Sequence, residues 1–273
     1  MIEQIRQEAR GEVDVQYIGK IVSLAKKRSN GGNAARPAFY QARRRPLRIG
    51  SSISDVADDF DSAGTLGCFV VGRRSPHYVG MLTNNHVIAG ENKNGAGDPI
   101  VQPGTLDGGN VRTDQVGELG RFVRLRARGI NFIDAAIGDL HDGIPYDSRQ
   151  FGTLGDLSGL GDAMNLPAQA TVYKVGRTTG QTQGRISAFD IDNVRVEYDM
   201  GVLRFDNQIE IEGTGKRAFS DSGDSGSAIV DEDLMVIGLL FAGGDEGGSN
   251  GLGLTYANPI GKVFDELQVD LEL

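Results

Sequence analysis

With 273 residues the chain can form one large domain or two small ones around a substantial core, and no apolar run approaches the ~18 residues of a membrane-spanning helix. Its single cysteine, Cys68, excludes an internal disulfide. The opening Met1-Ile2-Glu3-Gln4-Ile5-Arg6 lacks the basic start and apolar stretch of a secretory signal, and together these point to a cytoplasmic setting. The net charge of −9 divides into +7 on residues 1–50, from 11 Lys/Arg against 4 Asp/Glu, and −16 on the remainder; so acidic a body argues against nucleic acid as the main partner.

Residues 2–28 read as a helix interrupted near Gly11, because Ile18, Ile21, Val22 and Ala25 recur at helical spacing and Gly31-Gly32 offers a stop. Residues 29–62, rich in Gly, Pro, Arg, Ser and Asp, read as an extended connection. The basic clusters Lys26-Lys27-Arg28 and Arg43-Arg44-Arg45 fit a solvated leader docking on the acidic body, or else a contact for nucleic acid or a regulatory partner. From Gly64 onward, short apolar or alternating runs are separated by Gly, Asp or Asn clusters. They are Thr65–Val71, Tyr78–Thr83, Arg121–Leu125, Phe132–Ile137, Ala170–Val175, Gly184–Phe189, Val194–Tyr198, Leu203–Ile211, Ala228–Val230 and Met235–Phe241. Many short strands at this spacing predict an all-β sandwich or barrel. Asn258-Pro259 reads as an N-cap with proline at the first helical position, and Ile260, Val263, Phe264 and Leu267 form the apolar stripe of a C-terminal helix packed on the barrel.

Three histidines and one cysteine offer no metal-ligand cluster, so no metal or cofactor is expected; the loop Asp58-Asp59-Phe60-Asp61 is the stretch that would suit calcium. The sharpest local signal is Gly223-Asp224-Ser225-Gly226. Read alone it is turn chemistry, but a serine between glycines also suits a nucleophile whose neighbouring N–H groups converge on one point. A base is then needed. His77 and His141 fall in turn-like segments, whereas His86 follows the strand Val79–Thr83, where the scaffold would hold it rigidly either as a structural histidine or as a general base. For the orienting acid, Asp134 is the only acidic residue in the apolar run Asn131–Ile137, a place that costs several kcal/mol unless the carboxylate is paired. Asp139 and Asp142 are the alternatives.

Leu82-Thr83-Asn84-Asn85-His86-Val87, Asp134-Ala135-Ala136-Ile137 and Gly223-Asp224-Ser225-Gly226, in that order and with gaps of 48 and 91 residues, resemble the trypsin/chymotrypsin-like serine proteases over about residues 60–260. The Thr-Asn-Asn-His-Val version is more similar to the bacterial HtrA-type branch. With Gly97–Gly104 and Val175–Ile186 the chain also resembles a bacterial group related to the plant narrow-leaf proteases, and no PDZ-sized segment follows the barrel.

The resemblance implies two six-stranded antiparallel β-barrels, chymotrypsin-like, a first over 61–168 carrying His86 and Asp134 and a second over 169–273 carrying Ser225 and the C-terminal helix; the N-terminal helical arm and linker read above, over 1–60, stand before them. It implies a serine endopeptidase in which Ser225 attacks, His86 moves the proton, Asp134 orients His86, and the N–H groups of Gly223 and Ser225 hold the oxyanion. A catalytically silent binding module and an esterase with the same triad are the alternatives. By the same resemblance Phe219, Phe241, Gly243 and Gly253 line a pocket for a small or apolar residue before the scissile bond. In secreted members the residue matching Asp224 pairs with a newly cleaved N-terminus. Here the corresponding region reads Ser62-Ala63-Gly64-Thr65-Leu66-Gly67, without an Ile-Val-Gly-Gly start. Asp224 must then be satisfied otherwise, or the oxyanion turn waits for a partner.

Overall fold

The computed structural model of the chain describes residues 19–23, 26–27, 38–56 and 61–273. Two sheets carry the architecture. The first contains, in spatial order, Lys26–Lys27, Ser62–Thr65, Ser52–Asp55, Pro99–Val101, Gln115–Phe122, Ala136–Leu140, Ser75–Thr83, Cys68–Gly72 and Val269–Leu271. Ser62–Thr65 and Cys68–Gly72 are one stretch of chain bent at Leu66-Gly67, so the order turns back on itself. Only glycine fits at this bend, since a Cβ on Gly67 would come within 2.3 Å of the Gly226 carbonyl oxygen.

The second sheet contains a closed ring of six antiparallel strands: Thr171–Gly176, Gly180–Ile191, Gln208–Gly213, Leu254–Pro259, Met235–Gly243 and Ala228–Val230. Their alternation leaves Val172, Ile186, Ile209, Ile211, Ile229 and Ala257 in one buried cluster, which is what closure of a small barrel requires. The core of the first sheet runs across the junction to Val175, Val230 and Leu239 of the ring, so the two sheets are packed against each other.

The C-terminal helix Ile260–Leu267 buries the expected stripe of Ile260, Val263, Phe264 and Leu267. Its start differs from expectation. Asn258 is the fifth residue of the strand Leu254–Pro259 and Pro259 is the N-cap, because the Asn258 side chain is taken up by interior partners described below. The stripe joins the core of the first sheet, and Val269–Leu271, expected with the second barrel, pairs with Cys68–Gly72 of the first. Phe264→Ala is therefore expected to lower the stability of the whole chain by about 3–5 kcal/mol, read from urea unfolding; a loss under about 1 kcal/mol would mean that the helix is not part of this core.

At the other end, the helix expected over residues 2–28 is corrected where the chain is described. Gly19 has φ +63°, and Val22–Ser23 and Lys26–Lys27 are extended strands. The apolar spacing that suggested a helix buries Ile21 instead against the second sheet, where strand edges supply the hydrogen bonds. Residues 1–18, 24–25, 28–37 and 57–60 lie outside the described residues, and with them most of the expected helix and of the Asp58–Asp61 loop. Among the described residues no helix is long and apolar enough to cross a membrane. The basic cluster is used internally. Arg43 Nε donates to Asp114 at 2.9 Å, the Arg44 guanidinium lies 3.5 Å over the Phe39 ring, and Arg45 donates to Gln102 at 2.7 Å.

Candidate active site

The three singled-out residues meet where the two sheets join. His86 sits in the short helix Asn85–Ile88 directly after the strand Ser75–Thr83. Asp134 lies two residues before the strand Ala136–Leu140 rather than within one, yet it has no exposed surface. Ser225 is in the turn preceding Ala228–Val230. His86 Nε2 is 2.8 Å from Ser225 Oγ, and His86 Nδ1 is 2.5 Å from Asp134 Oδ2. The other two histidines are elsewhere. His77 is in the strand Ser75–Thr83, and the half-buried His141 faces Glu118 at 3.4 Å. Asp139 is packed with Tyr78 and Arg121, and Asp142 is exposed, so the structure brings neither alternative acid to His86.

The Asp134 carboxylate is held from all sides. Its Oδ1 accepts from the His86 backbone N–H at 3.3 Å, and its Oδ2 also accepts from the Tyr198 hydroxyl at 2.7 Å. The main chain is fixed too: Asn84 Nδ2 donates to the Asp134 carbonyl at 2.7 Å, and the Asp134 N–H donates to Asn258 Oδ1 at 2.9 Å. Asn258 is itself held by Gln208 at 2.7 Å. Burial and then the neighbouring Asp134 push the Tyr198 phenol well above the ordinary tyrosine range, so it stays protonated and donates. These donors meet the cost of a buried carboxylate and leave its charge facing the imidazole.

The turn that carries Ser225 is locked from the opposite face. Gly223 has φ +101°, and a Cβ there would meet Thr178 Oγ1 at 2.4 Å, so the position demands glycine. Its carbonyl accepts from Thr65 Oγ1 at 2.8 Å, and the Ser225 carbonyl accepts from the Thr65 N–H at 2.8 Å. Arg177 forms a buried ion pair with Asp107 beside the turn. Among the described residues nothing accepts from the N–H groups of Gly223 and Ser225, the two expected to converge on an oxyanion.

Asp224 has found an internal partner. Its Oδ2 lies 3.1 Å from Lys174 Nζ, with both side chains fully buried. Its oxygens also accept from the N–H groups of Thr178 at 2.8 Å, Thr179 at 3.2 Å and Asp221 at 3.1 Å, and from Thr179 Oγ1 at 2.6 Å. Burial holds the Lys174 ammonium below its ordinary pKa, against the pull of Asp224 in the other direction. Lys174 was open to the same reading as Asp134, since it is a lone charge in the apolar run Val172-Tyr173-Lys174-Val175. Tyr198 carried no such signal, because a tyrosine in an alternating strand is ordinary.

Of the expected pocket residues, Phe219 and Phe241 are buried in separate apolar clusters, Phe219 with Val172 and Ile186, Phe241 with Tyr198 and Phe205. Gly243 ends the strand Met235–Gly243, and Gly253 (φ +97°) packs on the backbone of Gly244, where a Cβ would fall 1.8 Å from its carbonyl oxygen. Cys68 is buried, and burial pushes its thiol up to about 12, which removes it as a competing nucleophile. Among the described residues no group of side chains could hold a metal ion.

No family model matches the chain, and no curated protein matches it in sequence. Among solved structures it is similar to protease A of Thermobifida fusca, with 15% identity and a TM-score of 0.55 over 82% of this chain and 97% of that one. It is also similar to a Nocardiopsis protease, with 16% identity and a TM-score of 0.55 over 83% and 99%. The chymotrypsin of Cellulomonas bogoriensis gives 17% identity and a TM-score of 0.53 over 83% and 98%. The likeness shows the fold: the chain has the chymotrypsin-like fold of bacterial serine proteases.

Proposed function

We propose that the chain is a serine endopeptidase that hydrolyses peptide bonds of protein substrates through an acyl-enzyme. The reading rests on the unbroken line from Ser225 Oγ through the His86 ring to Asp134 Oδ2, at 2.8 Å and 2.5 Å. His86 takes the Ser225 proton as Oγ adds to the substrate carbonyl and returns a proton to the departing amine. Asp134 keeps the Nδ1–H tautomer and balances the imidazolium. The N–H groups of Gly223 and Ser225 receive the oxyanion, in a turn held by the Lys174–Asp224 pair. With Phe219 six residues before the nucleophile and Gly243 and Gly253 nearby, a small or apolar residue is accepted before the scissile bond. The single cysteine fits work in a reducing, cytoplasmic compartment.

A catalytically silent binding module on the same fold is the second reading, favoured by the absence of exposed surface on Ser225. A fluorophosphonate probe separates the two. Labelling of the native chain that disappears in Ser225→Ala is the expected result, and an unlabelled native chain overturns the protease reading. Peptide and ester substrates compared side by side then separate a peptidase from an esterase.

A further inference from the structure

Along the turn 221–227, the N–H groups of Asp221, Ser222, Asp224, Gly226 and Ser227 each have an acceptor. Those of Gly223 and Ser225, proposed above to receive the oxyanion, have none among the described residues. Both belong to trans peptides, and a trans peptide points its carbonyl and its N–H to opposite sides. Whatever holds the carbonyl of the preceding residue therefore decides where each free N–H points.

The two peptides are held differently. The Asp224 carbonyl, in the peptide that carries the Ser225 N–H, is bound from inside the turn. It accepts from the Ser227 N–H at 3.0 Å and from Ser227 Oγ at 2.6 Å. The Ser222 carbonyl, in the peptide that carries the Gly223 N–H, is bound from outside. Thr178 Oγ1, from the connection between the strands Thr171–Gly176 and Gly180–Ile191, donates to it at 2.7 Å. A hydroxyl has one proton, and here its direction is fixed. Arg177 Nη1 lies 3.0 Å from the same oxygen, and a guanidinium only donates, so the Thr178 proton is left for Ser222. Arg177 is itself tied down. Its Nε donates to Asp107 Oδ2 at 2.7 Å and its Nη2 to Asp107 Oδ1, while Ser52 Oγ, from the first sheet, donates to Asp107 at 2.5 Å.

Gly223 does not choose between the two faces of its own peptide. It has φ +101°, and half a turn of the preceding peptide takes it to about −80°, which glycine adopts as readily. We propose that Thr178 is a positioning residue for the oxyanion site: its hydroxyl, oriented by Arg177, holds the Ser222–Gly223 peptide with the Gly223 N–H toward the reacting carbonyl. The inference rests on the protease reading above. It separates two tasks in one turn. Lys174 neutralises Asp224 and keeps the turn in shape, whereas Thr178 sets the direction of one donor within it. Without the hydroxyl nothing retains the Ser222 carbonyl on its side, and the peptide is free to turn its N–H away from the developing charge.

Rates of fluorophosphonate labelling of the full chain, taken over a pH series, test this, because the phosphoryl oxygen gains charge as Ser225 adds to phosphorus. Thr178→Val keeps the shape of the side chain and removes the donor. It is expected to label about ten- to a hundredfold more slowly at every pH, the worth of a hydrogen bond whose loss orphans its acceptor. The midpoint of the pH profile should stay where the native chain has it, since His86 and Asp134 are untouched. Thr178→Ser keeps the hydroxyl and is expected to label within about threefold of the native rate. Thr178→Ala, its fold checked like the others by the urea midpoint, reads the same loss should the valine variant fail to fold. A hydroxyl-free variant that labels at the native rate, a serine variant as slow as the valine one, or a shifted pH midpoint overturns the inference and leaves the protease reading standing. Loss of folding in both hydroxyl-free variants makes Thr178 a structural residue and overturns it as well. A native chain that does not label overturns both readings.

Discussion

Lys174→Met is expected to weaken both the fold and the reaction. The ammonium is the only cation that touches Asp224 among the described residues, and neither side chain reaches solvent. Methionine keeps most of the bulk of lysine and removes the charge, leaving Asp224 with four hydrogen-bond donors and no counter-ion. Breaking a buried ion pair on one side costs about 3–5 kcal/mol, so the urea midpoint should fall by a corresponding amount. The carboxylate can recover hydration only by drawing the turn from Asp221 to Ser225 outward, and that turn carries the N–H groups of Gly223 and Ser225. A loss of about 10²–10³ in kcat follows, the size seen when one oxyanion donor is removed, with a smaller change in KM. The double variant Lys174→Met with Asp224→Asn leaves no buried charge and should regain most of the stability. An unchanged urea midpoint in the single variant would show that Lys174 does not carry Asp224.

This pair answers the question that the sequence raised and left open. Gly-Asp-Ser-Gly identified the turn, but what holds it comes from a strand some fifty residues earlier, and contacts at such separation leave no local pattern. The strands legible in advance were those whose alternation faces a core, such as Val194–Tyr198 and Ala228–Val230, which fall where they were expected. Ser52–Asp55 falls in the stretch 29–62, whose Gly, Pro, Arg, Ser and Asp content reads as connection. Its serines are buried by bonding to the loop at Thr105 and Asp107, so polar partners stand in for hydrophobic packing. The arm misled for a related reason. Spacing of three and four apolar residues suits a helix, but strand edges already waiting in the second sheet outweigh local propensity. Asp134 was the most legible member of the candidate site, because a carboxylate set in an apolar run is costly enough to require a partner, whereas His86 stood out by its position after a strand and by the resemblance.

Asp134→Asn carries the largest expected loss in the chemistry itself. His86 has only a sliver of exposed surface and Asp134 none, so an imidazolium formed during acyl transfer has the Asp134 charge beside it and little water. Removing that charge costs several kcal/mol, and at about 1.4 kcal/mol per decade this is a fall of about 10³–10⁴ in kcat. The amide adds a conflict of hydrogen bonding. Asp134 offers two acceptor oxygens to three donors: the His86 N–H at Oδ1, and the His86 ring with the Tyr198 hydroxyl at Oδ2. Asparagine has one oxygen and an NH₂ group, so one side of the carboxylate site now presents donor to donor. With the oxygen toward Tyr198, the imidazole keeps its tautomer, and the loss is that of the charge and of the acceptor for the His86 N–H, which now faces the NH₂. With the NH₂ toward Tyr198, the ring must turn its Nδ1 into an acceptor and Nε2 then faces Ser225 with a proton, unable to accept the hydroxyl proton. Tyr198 favours the first arrangement, because its phenol is held protonated and needs an acceptor. The combination Asp134→Asn with Tyr198→Phe is accordingly expected to be worse than Asp134→Asn by more than Tyr198→Phe costs alone, measured as kcat across a pH series. A drop of less than about tenfold for Asp134→Asn would mean that its charge takes no part in the reaction.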